Sequence, residues 1–416
     1  MSKTIAIIGG GASGLMCAIS TKRHLEKINK SARVLVLEKN ARVGKKLLAT
    51  GNGKCNLANT NENTDAYHSN DTSAVASVLK AFDVRAISDF FSELGLCLVT
   101  ANGTCVYPRS MQAASVLDVL RFEAQRLGVE FLCDFDVSSI KKSYKFYNII
   151  SKEKTISADS IVIASGSLAS GGSDSGLALL KAFGHKIHQT FPALCALKCD
   201  SEYIKIAKGM RSDAAMSLVV DDMLIRKEKG EVLFCDYGLS GIAIMQLSGY
   251  VSRLCCDGKR HNMYITLDLA DEYDADELYA MLKKRKEKLL HIELENFLCG
   301  FLNKRIAMAV IKYANIGAFS DTALSLTDEK LKKLCNALKN FKLDVTGTKG
   351  TQNAQVMGGG ASLSDFYTDT LESKKSGGLF ACGEVLDVYG DCGGYNLTWA
   401  WASGFVCGCG VAESIS

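Results

Sequence analysis

The chain is 416 residues long, 47% hydrophobic and 23% charged, with two prolines (Pro108 and Pro192) and 37 glycines. That composition excludes collagen-like, mucin-like and disordered classes, and the length exceeds what one compact core serves. The formal charge of +4 sets 49 basic residues against 45 acidic ones, a near balance that argues against a surface built mainly to neutralise phosphates.

Thr4 to Ile8 is a continuous β-branched and apolar run ending in Gly9-Gly-Gly-Ala-Ser-Gly14. A helical stretch from Leu15 to about Lys27 and a second strand, Arg33 to Glu38, follow it, giving a βαβ unit. Apolar positions from Ser110 to Gly128 follow helical spacing, strand-like pieces come at Val129–Cys133 and Phe146–Ile150, and Ser160 to Gly166 is a further buried strand ending in glycine. The first 190 residues read as a doubly wound, Rossmann-like α/β region with a small β addition. Between about Phe191 and Asp344 the texture changes to short strands (Leu218–Val220, Met223–Arg226, Glu231–Cys235, Met263–Leu267) and then to charged helices at Asp274–Leu290 and Thr327–Leu338. This is an inserted lobe, and its lysine runs at 283–286 and 330–333 read as solvated helix faces. Gly347-Thr-Lys-Gly350 and Gly358–Gly360 read as turns. Residues 392–412 carry no charge but hold five glycines, so they predict a core helix starting near Tyr395 and packed on a sheet, not a membrane span.

Sixteen cysteines are scattered with no Cys-x-x-Cys pair and no joining His cluster. They read as reduced, mostly buried thiols of a cytoplasmic protein, and no metal site is expected. The amino terminus has one lysine and an apolar run too short for an export signal.

Chemistry is concentrated in a few segments. Gly9-x-Gly11-x-x-Gly14 sits directly after a strand and opens a helix, with Glu38 24 residues beyond Gly14 at the end of the next strand. Such a unit binds a dinucleotide: glycines allow the tight turn and close backbone approach, the helix start offers N–H groups to a pyrophosphate, and the acid meets a ribose. Three further segments favour FAD over NAD. They are the glycine- and amide-rich loop Gly44–Asn56, the strand-to-glycine crossing Ile161–Gly166, and Gly383-Glu384 ahead of the closing helix, whose first N–H groups at Tyr395, Asn396 and Leu397 would stabilise negative charge on a reduced flavin.

The loop Gly44–Asn56, the segment Gly230–Gly241 and the ending Gly383–Gly404 together resemble the HI0933-like, or BaiN-like, bacterial flavoproteins, and the resemblance runs from the first strand to the last helix. It implies a two-part FAD-binding domain, 1–192 plus 344–416, interrupted at 193–343 by a substrate-side domain with a β-barrel and a helical portion at about 270–338. The matching motifs put Gly9, Gly11, Ala12, Ser13 and Gly14 on the pyrophosphate and Glu38 and Lys39 at the adenosine. Lys45, Lys46, Thr50, Gly51, Asn52, Gly53 and Asn56 fall along the loop, with Val137 and the Ala164-Ser165-Gly166 crossing in the same cofactor set. Gly383, Glu384, Asp387, Gly394, Tyr395, Asn396 and Leu397 face the ribityl chain and ring. Cys382 stands where the family pattern has alanine, Ser165 where it has threonine, and Ser167–Ser173 lacks the usual aromatic and proline.

The resemblance implies an FAD-dependent oxidoreductase, a reductase passing hydride from flavin N5 to an activated C=C bond. That bond belongs either to the uracil ring of ribosomal RNA, giving dihydrouridine, or to a steroid or bile-acid enone. The alternatives are an oxidase of small amines and a flavin-bound binding protein without turnover. With a single dinucleotide fingerprint and no redox Cys pair, NAD(P)H would serve as an external electron donor; the partner is a small molecule or ribosomal RNA, and no membrane is involved. Candidate catalytic groups are Cys55 within the flavin loop, Tyr237 with Ser240 in the insert, and Tyr395, whereas His185 and His188 read as structural.

Overall fold

A run of β-branched and apolar residues flanked by glycine makes a strand that is buried on both faces, which is the signature of a parallel sheet covered by helices. In the computed structural model, which describes residues 3–415, Thr4–Ile8 takes the central place of five parallel strands. Their order is Leu379–Ala381, Ser160–Ile163, Thr4–Ile8, Arg33–Leu37 and Glu130–Leu132. Ile7 is in register with Val36 on one side and Val162 on the other. The strand contributed by the end of the chain therefore lies at the sheet edge beside Ser160–Ile163. A three-stranded antiparallel addition, Ser139–Lys142, Tyr147–Ile150 and Thr155–Ala158, follows the fifth strand in sequence.

The helix Ala12–Lys27 leaves the first strand, and the helix Tyr395–Glu413 closes the chain. The uncharged, glycine-bearing segment suggested a closing helix packed on a sheet; it does touch the strands Ser160–Ile163 and Leu379–Ala381, but its main partner is the first helix, on which one face lies directly. Gly404 and Gly408, one helical turn apart, make this possible, since a Cβ at either would stand 2.6 Å from the carbonyl oxygen of Ser13 or Cys17. The glycines that disqualify the segment as a membrane span are thus its packing surface. Among the described residues no helix is long and apolar enough to cross a membrane.

By packing, the chain forms two units: one runs up to Thr190 and resumes at Val356, the other is Phe191–Gln355. The second unit is built on a closed antiparallel barrel of six strands, in the order Leu197–Cys199, Gly238–Ser240, Met223–Cys235, Arg211–Val220, Met263–Asp268 and Phe341–Thr348. Two readings of this region change. Met223–Arg226 and Glu231–Cys235 belong to one 13-residue strand paired along Arg211–Val220; the charged residues between them alternate on a largely exposed face and do not interrupt it. Phe341–Thr348 runs through position 344 to close the barrel, so the return crossing falls after it. The helices Ala275–Lys288, Lys304–Ala314 and Asp328–Lys339 belong to this unit, the first opened by a capping box in which Asp274 and Glu277 exchange hydrogen bonds.

Gly347 lies within the barrel strand and Gly358–Gly360 within the strand Val356–Ala361, so neither motif is a turn. Seven of the sixteen cysteines are buried, and Cys97 and Cys255 are exposed, fewer buried thiols than composition suggested.

Candidate functional site

The site begins where the first strand ends. Gly9 has φ +110°, and a Cβ there would lie 2.3 Å from the carbonyl oxygen of Ala164; a Cβ on Gly14 would lie 2.0 Å from the carbonyl oxygen of Gly9. These two glycines are required by the fold itself, because backbone fills the space a side chain would take. Gly11 differs: nothing stands within 4 Å of its Cβ position. It N-caps a 16-residue helix with no side-chain cap and no acidic residue in its first turn, so the first N–H groups of the helix are left to an anion from outside.

Glu38 is buried, and its carboxylate braces the turn. Oε2 accepts the N–H of Gly10 at 2.9 Å and Oε1 accepts the N–H of Asn40 at 2.9 Å, with the Asn40 amide on the same oxygen. Each carboxylate oxygen has two lone-pair directions, so Oε2 retains one for a ribose hydroxyl. Lys39 and Lys45 are exposed, and Val137 lies buried in the extended segment after Phe135, whose N–H bonds the Glu38 carbonyl.

The loop after Gly44 is a short helix, Lys45–Ala49, followed by four residues with left-handed backbone: Gly51, Asn52, Gly53 and Cys55. Thr50 Oγ1 donates to the carbonyl of Leu47 at 2.6 Å, and the N–H of Cys55 returns to the carbonyl of Thr50. The tip at 51–54 is exposed. Just beyond it, Asn56 Oδ1 is buried without a hydrogen-bond partner, and so is Ser165 Oγ at the crossing beyond Ile163. The Asn56 oxygen lies 2.9 Å from the Cβ position of Gly394 and is the orphaned atom a polar ligand would complete, whereas Ser165 Oγ lies 1.9 Å from the Cβ position of Gly176.

The last segment is locked against the first. A Cβ on Gly383 would meet Ser13 Oγ at 2.3 Å, and one on Gly394 would meet the Ala58 carbonyl at 2.6 Å. The Gly383 carbonyl accepts from the Trp399 indole at 3.1 Å, and the Trp401 indole donates to the Leu57 carbonyl at 3.0 Å. Glu384 is held by Lys46 Nζ at 2.6 Å and by the Ser167 hydroxyl at 3.2 Å. Asp387 accepts from the backbone and amide of Asn70, the latter at 2.7 Å, with His188 Nε2 at 3.9 Å. The Asn396 amide is engaged locally, exchanging two 2.8 Å hydrogen bonds with Gly390, so its backbone N–H, beside those of Tyr395 and Leu397, is the part left for a ligand. Tyr395 packs edge-on against Tyr67, its ring centroid 5.6 Å away, and burial raises the affinity of its phenol for the proton. Tyr395 and Thr398 also line a cavity of about 220 Å³ with Asn59, Tyr67 and Leu79.

The remaining catalytic candidates fare differently. Cys55 is fully buried, and burial pushes its thiol up to about 12. Burial therefore disfavours a thiolate there. Tyr237 belongs to the other unit, where Lys349 Nζ lies 4.1 Å from its ring centroid; burial first, then hydrogen bonding with Cys235, pushes its phenol up to about 12. Ser240 ends a barrel strand and does not cap the helix that starts at Ile242. His185 is a buried structural residue, bonded to the Leu180 carbonyl and Ser373 hydroxyl.

Sequence reasoning missed Ser167, Asn70 and the pair His68–Asp391, in which Nε2 and Oδ1 are 2.8 Å apart and the imidazole stacks on Tyr389. Their partners lie hundreds of positions away in the chain, and no local pattern marks them.

A family model described as the HI0933-like protein Rossmann domain matches residues 3–410. The chain is 36% identical over 412 residues to a Clostridium scindens protein named 3-dehydro-bile acid delta(4,6)-reductase, covering 98% of this chain and 99% of that one. It is 26% identical over 412 residues to an Escherichia coli ribosomal RNA dihydrouridine synthase, covering 96% of each. Among solved structures, the 3-ketosteroid delta1-dehydrogenase from Sterolibacterium denitrificans shares the fold at a TM-score of 0.50 and 10% identity, over 99% of this chain and 100% of that one.

Proposed function

The chain belongs to the HI0933-like family, and on that premise we propose that this FAD-dependent oxidoreductase reduces an activated C=C bond in a steroid-like enone, with NADH or NADPH as its electron donor. The observation that carries the reading is the 36% identity, over nearly the whole of both chains, with the bile-acid reductase. The near-balanced charge of the chain and the lower identity to the ribosomal RNA enzyme favour a small molecule over RNA.

FAD, when bound, would supply the two-electron hydride chemistry. The residues of the chain do the rest. The free N–H groups of the first helix and the loop through Asn56 would bind the diphosphate, and Glu384, fixed by Lys46 and Ser167, would accept from polyol hydroxyls. The N–H groups of Tyr395, Asn396 and Leu397 start a 19-residue helix with no side-chain cap, which supports their use as donors to charge developing on the ring. The Tyr395 phenol, raised by burial, holds its proton at neutral pH and is the proposed donor to the carbon beside the one that takes hydride.

The test is anaerobic. The yellow protein is mixed with NADH or NADPH and loss of flavin absorbance is followed; a 3-oxo-4,6-diene steroid is then added and recovery of colour is timed. Bleaching followed by substrate-dependent recovery is expected, and Tyr395→Phe should lower the recovery rate by about 10²-fold or more if it carries the proton. Bleaching without recovery on the steroid, together with loss of dihydrouridine from ribosomal RNA in a deletion strain, would move the substrate to RNA.

A further inference from the structure

Three cysteines that are distant in sequence meet inside the unit that holds the dinucleotide cradle. Cys17 comes from the first helix, Cys382 follows the strand Leu379–Ala381, and Cys407 comes from the closing helix. Their three sulfurs all lie within 4.8 Å of one another, and each residue is 0% exposed. Among the described residues this is the one place where three His, Cys, Asp or Glu side chains could share an ion. Buried cysteines often serve as small apolar side chains, and such packing does not require three thiols from three elements to converge. The elements are also held in close register: the Cβ position of Gly408, next to Cys407, is 2.6 Å from the Cys17 carbonyl.

We propose that Cys17, Cys382 and Cys407 form a three-coordinate thiolate site for a soft monovalent cation, copper(I). A metal–thiolate bond of about 2.3 Å, placed at the centre of an equilateral sulfur triangle, requires sulfur–sulfur separations of about 4 Å, which the observed limit of 4.8 Å accommodates. Zinc in a structural site takes four ligands, and among the described residues no fourth His, Cys or carboxylate joins this group. An all-sulfur, three-coordinate set therefore favours copper(I).

Binding one copper(I) through three thiolates releases three protons to solvent, leaves two net negative charges in the cluster, and transfers no electron. Because the site is buried, loading accompanies folding or a local opening. The inference is independent of which substrate the flavin site takes.

The full-length protein is refolded anaerobically with copper(I) supplied as its acetonitrile complex, then passed over a column with bicinchoninate to strip ions held by scattered thiols. One copper per chain is expected, with X-ray absorption showing a sulfur-only shell at about 2.3 Å. Cys382→Ala and Cys407→Ala should each lower retained copper at least tenfold, while Cys409→Ala, outside the cluster, should leave it unchanged. Circular dichroism and FAD content report whether each variant has folded, so either folded variant decides the result. Copper-free wild type, equal retention by wild type and the folded variants, or a shell containing oxygen or nitrogen overturns the proposal.

Discussion

The same substitution at Gly11 and at Gly14 should separate ligand binding from folding. At Gly14 the added Cβ would stand 2.0 Å from the Gly9 carbonyl oxygen, more than 1 Å inside ordinary contact, and both groups are backbone. Relief requires the helix to move off the strand, so Gly14→Ala should cost at least about 3 kcal/mol, the upper end of overpacking. At Gly11 the Cβ meets nothing within 4 Å, and φ is −82°, a conformation alanine adopts freely. The reduced chain entropy of the unfolded state offsets the poorer N-cap, leaving stability within about 1 kcal/mol of wild type. What Gly11→Ala removes is close approach to the uncapped N–H groups. Losing one charge-assisted hydrogen bond, about 1.5–3 kcal/mol, should weaken FAD binding roughly 10- to 150-fold. Urea melts of the cofactor-free protein measure the first quantity and flavin fluorescence titration the second. If Gly11→Ala bound FAD as tightly as wild type, the diphosphate would not lie on this turn; if Gly14→Ala melted with wild type, the close-packing argument would be wrong.

Two other results follow from the electrostatics. Glu123 is buried on the helix Ala113–Arg126 and accepts from Arg126 at 2.7 Å and from Arg23 of the first helix at 2.8 Å, contacts that hold its carboxyl below the usual range. Glu123→Gln should cost about 1–3 kcal/mol at pH 7. Because the folded-state value is the depressed one, this contribution is present above the unfolded glutamate value of about 4.3 and is lost as pH falls through the lower folded value, so the difference between wild type and variant should shrink below pH 4. A difference in urea stability that persisted unchanged at pH 3 would contradict the assignment. For Cys55, a thiol pushed up to about 12 has a thiolate fraction of roughly 10⁻⁴ at pH 8. Maleimide should label exposed Cys97 and Cys255 in the native protein and reach Cys55 only after denaturation, and Cys55→Ser should keep turnover within about threefold. A much larger loss in a folded variant would restore Cys55 to the mechanism.

How much of this was legible depended on whether a residue's constraint was local. Gly9, Gly14 and Glu38 could be read because a strand–turn–helix that seats backbone on backbone admits few residues, and each sits at a fixed offset from the others. Glu384 was legible as a carboxylate after a strand, but its partners Lys46 and Ser167 were not paired with it, since 338 and 217 positions separate them. Asn396 was read as offering its backbone N–H to the flavin because it opens the last helix; that its side chain ties the preceding loop to itself had no local signal. The strand Met223–Cys235 was split in two because an exposed barrel strand carries charge on its outer face, and a run of polar residues looks like a break when the partner strand is unknown.

The closing helix shows why the cysteine cluster escaped notice. A helix apolar all round announces burial but not the identity of its neighbour, so its direction had to be guessed, and the guess was a sheet. The usable signal was the spacing of Gly404 and Gly408: two glycines four apart mark the line along which another backbone approaches. Following that line places Cys407 on the side of the first helix, where Cys17 lies on an inward-facing turn. Cys382 is fixed by the adjoining Gly383, which packs on Ser13 one turn earlier in the same helix. Three side chains whose sequence spacing resembles no ligand motif are thus brought to one point by glycines that can be seen in the sequence. The juxtaposition could have been reached from the small residues, although not from the cysteines themselves.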